Sequence, residues 1–154
     1  MGAKYPGERV ALGSVCNKTL LVTSAMLTQL SDFITAANVG IMLFFSVAVA
    51  PTIFTVLPAE WSAASVRKFF PKYFLFLGVS STLAAALNSL PLAQIILGLC
   101  ALVFYFSVFW LTPRINLARD NKDEKTFKLL HYSSVGLNLL QLLAMIWLLV
   151  KSVV

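Results

Sequence analysis

Charge is what this sequence has least of. Of its 154 residues only 12% are Asp, Glu, Lys or Arg, against about a quarter in soluble domains, which excludes a water-facing coat over most of the chain. Histidine occurs once, so paired-histidine haem ligation and histidine-rich zinc sites within one chain are excluded. Cysteine occurs twice, as Cys16 and Cys100. Their separation suits neither a disulfide framework nor a redox pair, and Cys100 sits inside an apolar run, where a thiol behaves as a small hydrophobe. No Cys-x-x-Cys, His-Glu-x-x-His, Walker or dinucleotide-binding glycine pattern occurs. Met26, Met42 and Met145 are scattered like packing residues, not arrayed as a soft-metal ladder. No catalytic residue, metal ligand or cofactor is expected, and the chain reads as a non-enzyme.

What is abundant is oil. The sequence is 59% hydrophobic, with a mean hydropathy of +0.86. A helix crossing a hydrocarbon layer of about 30 Å needs about 20 apolar residues, so four crossings use most of the chain and leave no soluble catalytic domain. The net charge of +6 is concentrated between the apolar runs, with no basic face of the kind that reads nucleic acid. The expected fold is all-α: an antiparallel four-transmembrane-helix bundle in one domain, residues 28–154, preceded by an extension over 1–27. The opening residues, Met1 to Arg9, lack the short apolar stretch and small-residue site of a cleaved signal peptide.

The spans are expected at about 33–54, 69–90, 91–111 and 129–150, each near the length a bilayer requires. Lys72 lies close enough to an end of the second to snorkel into the headgroups. Pro91 opens the third at a position where its missing N–H is harmless. Aromatic residues from Phe104 to Trp110 close it at an interface. The fourth inserts on twelve Leu, Ile or Val residues despite Asn138 and Gln141. Lys72, Trp110 and Arg114 are the expected lipid-headgroup anchors. Asn88-Ser89-Leu90-Pro91 is an uncharged tight turn. The other two connections carry Arg67, Lys68 and Lys72, then Arg114, Arg119, Lys122, Lys125 and Lys128; the opposite side has Lys4, Arg9, Lys18 and Lys151. By the positive-inside rule the longer connections face the cytoplasm and both termini face outward, in a bacterial inner membrane. The extension is expected to lie along the interface or to continue the first helix outward, docking on a partner or on the bundle.

Polar residues within the bilayer are the default place to look for function. His131, Ser134, Asn138 and Gln141 are spaced by three, four and three, which puts them on one helical face, and that face is expected to turn inward. With Arg114 they form the candidate polar patch. Thr28, Asp32, Thr35 and Asn38 in the first span, and Ser80, Ser81 and Thr82 in the second, supply partners. Asp32, at the outer edge of its span, reads as an interfacial cap. Two readings of the patch stand open: hydrogen-bonding glue between helices, or a small polar cavity opening toward the cytoplasm near Arg114 and His131. Glu124 and Lys128 form an i,i+4 pair at the start of the fourth helix.

Four stretches occur in order at matching helix ends: Phe44 to Phe54 (FFSVAVAPTIF), Phe70 to Phe74 (FPKYF), Thr112 to Ile115 (TPRI) and Leu130 to Asn138 (LHYSSVGLN). Together they resemble a small four-helix membrane family of unknown function that includes transmembrane protein 205 and whose bacterial members are of the DUF4149 type. The likeness covers about residues 28–150. It implies a four-helix membrane fold, with drug resistance associated with the eukaryotic member and a distant likeness of bacterial relatives to copper-resistance proteins. One histidine and dispersed methionines argue against a copper role. The functional expectation is a non-catalytic accessory subunit of a larger membrane complex, possible hosts being respiratory or photosynthetic assemblies. It would contact lipid and larger subunits through its helix faces and its extension, without nucleic acid. The alternative is a carrier or resistance protein for a small molecule or metal.

Overall fold

The structure, a computed structural model, describes the backbone of residues 6–153 and, Ala59 apart, the side chains of residues 17–153. Lys4 and the side chains of Arg9 and Cys16 lie outside the described residues. The order is α1 (Pro6–Phe44), a π-helical segment Phe45–Val49, α2 (Ala50–Val56), α3 (Ala59–Leu87), α4 (Pro91–Phe106), a second π-helical segment Ser107–Leu111, α5 (Thr112–Asp120) and α6 (Glu124–Val153). Among the described residues four rods are long and apolar enough to cross a membrane: Asn17–Val56, Glu60–Leu87, Pro91–Asp120 and Glu124–Val153. The fold is an all-α four-helix membrane bundle, with no strand among the described residues.

Three of the rods carry an internal proline, Pro51, Pro71 and Pro113, yet do not break, and at two of them the helix changes type. Pro51 and Pro113 have no N–H to donate, and their rings crowd the carbonyl four residues back. The turn ahead of each widens instead. Ala50 N–H reaches Phe45 O and Thr112 N–H reaches Ser107 O, the i→i+5 pattern of a π-bulge, and the rod continues past the ring.

Interhelical contacts fix the register. Ser31 Oγ donates to Ala84 O at 2.8 Å, Asn38 meets Ser80 and Ser81, and Phe45 stacks on Tyr73 with centroids 4.5 Å apart. Residue numbers rise along α1 as they fall along α3, so the two run antiparallel. The pairs Phe74–Phe104 and Asn88–Gln94 establish the same relation between α3 and α4. At Gly78 an added Cβ would come within 3.0 Å of the Tyr105 ring, so glycine lets that ring lie against the α3 backbone. α6 packs on α1, α4 and α5, closing the bundle. Met42, Leu77, Phe104 and Met145, one from each rod and all 0% exposed, meet in its core.

The helices outrun the apolar stretches that mark them. α3 stops at Leu87, short of the expected Leu90, because the Asn88 carbonyl oxygen Oδ1 accepts Leu90 N–H at 2.9 Å and turns the chain. α1 is one continuous helix from Pro6, so the part of the extension that is described continues the first rod.

Candidate functional site

Two polar regions are built by the fold. The first is a hydrogen-bonded seam between α1 and α3. Thr28 Oγ1 and Ser89 Oγ lie 2.6 Å apart. Ser31, 0% exposed, donates to Ala84 O and accepts from Asn88 Nδ2 at 3.1 Å. Asn38 donates to Ser81 Oγ at 3.3 Å and accepts from Ser80 Oγ at 2.8 Å. Asn88 also receives Gln94 Nε2 at its backbone carbonyl, 2.6 Å away, so one side chain and its peptide tie three helices at the turn. Thr35 bonds Ser31 O within its own helix. Every polar atom cited here has a partner, which is the signature of interhelical glue.

The second region is not satisfied. Tyr73 Oη, Asn138 Oδ1 and Gln141 Oε1 are buried without a hydrogen-bond partner among the described residues. Tyr73 is 6% and Gln141 4% exposed. Asn138 is the neighbour of the Tyr73 hydroxyl, in an arrangement that misses hydrogen-bond geometry. Gln141 spends its amide on Cys100 O, 2.8 Å away on α4, leaving its carbonyl open. A buried polar atom without a partner costs about 1–3 kcal/mol, so each of these three groups is open to water or a hydrogen-bonding guest.

Of the residues that the sequence singled out, Asn138 and Gln141 belong to this region; the others stand apart from it. His131 is exposed and stacks on Phe127 at 5.7 Å. Ser134 is half-buried. Arg114 is exposed and lies 4.0 Å above the Trp110 ring, a cation–π contact that suits two groups sharing an interface. Lys72 is exposed on α3. The fourth helix therefore turns inward at Gln141, Leu142 and Met145, and its polar line leaves the interior as it approaches His131. Ser31, Asn88 and Tyr73 were not marked by spacing. Each gains its role from a residue on another helix, a signal absent from any local pattern.

At the basic end Arg67 Nη1 donates to Asp120 Oδ2 at 3.0 Å, and its Nη2 donates to Asp120 Oδ1. This bidentate pair joins the two longer connections. Both partners are exposed, so it sets register more than it adds stability. Asp123 Oδ1 accepts Thr126 N–H at 3.1 Å. Those bonds from Thr126 hold its carboxyl below the usual carboxylate range. Lys128 Nζ lies 3.3 Å from Glu124 Oε2. Among the described residues no three His, Cys, Asp or Glu side chains gather as a metal site.

A profile of the family described as "Domain of unknown function (DUF4149)" matches residues 33–124. An "Uncharacterized protein" of Aquifex aeolicus (strain VF5) is 35% identical over 108 residues, covering 68% of this chain and 80% of that protein. No solved structure matches the chain.

Proposed function

Since the chain belongs to the DUF4149 family, a membership that brings no activity with it, we propose from its surfaces that it is a non-catalytic accessory subunit of a larger membrane complex. The observation that carries this reading is the length of the first rod. Its 40 residues, Asn17–Val56, make about 60 Å of helix at about 1.5 Å per residue, twice the about 30 Å of hydrocarbon. The contact between Thr28 and Ser89 marks the level of the outer turn. Residues 17–27 therefore project about 16 Å beyond it. On that projection Leu20, Leu21, Val22 and Met26 are 64%, 63%, 55% and 65% exposed. An apolar helix held past the bilayer needs a protein cover, and the chain supplies none among its described residues.

Orientation follows from charge. The eight cations of the two longer connections face the cytoplasm in this reading, with both termini outside. Blue-native electrophoresis of mild-detergent extracts tests the assignment. The chain should migrate with larger subunits, and Leu20→Glu with Leu21→Glu should release it while leaving it inserted. Migration alone in the wild type refutes the proposal.

A carrier of small molecules is the second reading, favoured by the unpartnered trio Tyr73, Asn138 and Gln141. Asn138→Leu combined with Gln141→Leu should abolish export and spare insertion; unchanged export removes that reading.

A further inference from the structure

Between α1 with its π-helical segment and α3 lies a cleft of about 330 Å³. Phe44, Phe45 and Val49 form one wall, and Phe69 and Tyr73 the other. Phe45 stacks on Phe69 at 5.1 Å and on Tyr73 at 4.5 Å, making an aromatic floor. Phe44 is 67% exposed at the rim. Lys72 is the only charged residue in the lining.

The cleft owes its shape to Pro51. The widened turn Phe45–Val49 ahead of the proline supplies part of the lining, whereas a regular α-helix presents evenly spaced ridges to its neighbour. Lys68 and Lys72, four apart, lie on one face of α3. Both are exposed, and neither has an ion-pair partner among the described residues, where the acidic groups in such pairs are Asp120, bound to Arg67, and Glu124, bound to Lys128. Measured from the turn at Asn88, Lys72 lies about 24 Å along the helix and Lys68 about 30 Å. These depths are just inside and at the boundary of a hydrocarbon layer of about 30 Å. An oily slot thus ends at two stacked, uncompensated ammonium groups at headgroup level.

We propose that this cleft holds one acyl chain of an anionic phospholipid, with the lipid phosphate between Lys68 and Lys72. A partner helix, about 10 Å across with a pitch of about 5.4 Å, displaces more than the cleft's volume of about 330 Å³ in a single turn. The volume falls at the small end of ligand sites, about 300–1,000 Å³, and fits part of a lipid tail. A zwitterionic headgroup satisfies the lysines less well, because it brings its own cation to the same place. Basic pockets between helices at a membrane face select anionic headgroups by this charge match.

Native mass spectrometry of the full chain released from bilayers of equal phosphatidylglycerol and phosphatidylcholine tests the site. The wild type should retain phosphatidylglycerol preferentially. Each lysine at an anionic surface is worth about fivefold in affinity, so Lys68→Gln with Lys72→Gln should lower that retention about twentyfold or more. Val49→Trp, which fills the slot and keeps both cations, should displace both lipids. Lys128→Gln, on α6, should change nothing. Equal retention of the two lipids by the wild type overturns the proposal. So does undiminished phosphatidylglycerol on the double lysine variant, or a crosslink from Phe44 or Val49 to protein instead of lipid. Because both lysines are exposed, their replacement leaves the packing intact, and the decision stands even if Val49→Trp fails to fold.

Discussion

Asn38 and Asn138 are the same side chain in opposite circumstances. Asn38, 1% exposed, has its amide and its carbonyl bonded across α3. Asn138 has an open carbonyl. Interhelical hydrogen bonds in membranes average about 0.6 kcal/mol, with a maximum near about 1.7, and removing a partner also strands the group left behind. Asn38→Leu should therefore lose about 1–2 kcal/mol, whereas Asn138→Leu should stay within about 0.5 kcal/mol of the wild type or gain. Unfolding in mixed micelles measures both; the reverse order would show that the α1–α3 seam has been misassigned. Spacing alone pointed to the fourth helix, because a three–four–three step shows which residues share a face. It does not show how far along the helix that face stays inside. Asn138 and Gln141 are inward and His131 is not, since the helix turns its Leu142 and Met145 to the core. Ser31 gave no local signal, and Asn88 was legible as a turn residue but not as the partner of Ser31 and Gln94.

The α5–α6 connection shows how an element is stopped and restarted within three residues. Asp123 N–H bonds Ala118 O at 2.9 Å and Lys122 N–H bonds Arg119 O at 3.1 Å, the two bonds of a Schellman stop. Its left-handed position is occupied by Lys122, φ 56°, where glycine is the unstrained residue. Lys122→Gly should stabilise the protein by about 1 kcal/mol, visible as a raised thermal midpoint; an unchanged or lowered midpoint would show that the conformation is not strained. Asp123 then caps α6 through Thr126. With its carboxyl held below the ordinary value, about 3.9 in unfolded chains, the sign of the linkage is fixed. The cap contributes fully above that value, and its contribution is lost as pH falls through the lowered one. On acidification the Thr126 amide resonance should shift as the first turn of α6 frays. Asp123→Asn, which caps without titrating, should abolish the shift. A shift that persists in that variant would place the titrating group elsewhere.

At the scale of the whole chain the four crossings were legible because they depend only on run length, and no packing detail alters that. The lengths of the rods were not legible. Charged residues such as Arg67 and Arg119 enter helices once a neighbour on another helix holds them, and Pro51 and Pro113 interrupt α-helical geometry without ending the rods. The depth of each rod can nonetheless be checked for consistency. Taking Thr28, Asn88, Pro91 and Lys151 as one face, a step of about 20 residues arrives near Val47–Pro51, Lys68, Trp110–Arg114 and His131. Cations, an aromatic residue, Pro51 and Pro113 collect at that second face, as an interface requires. If it is the cytoplasmic one, side chains beyond the two faces must differ in access. In a Cys16→Ala background, Ser152→Cys should react with an impermeant maleimide on intact cells, and Asn121→Cys only after permeabilisation. Cys100, buried in α4, should stay silent in both. Labelling of Asn121→Cys from outside would invert the bundle, exchange the roles of its two ends, and place the projecting end of α1 on the cytoplasmic side.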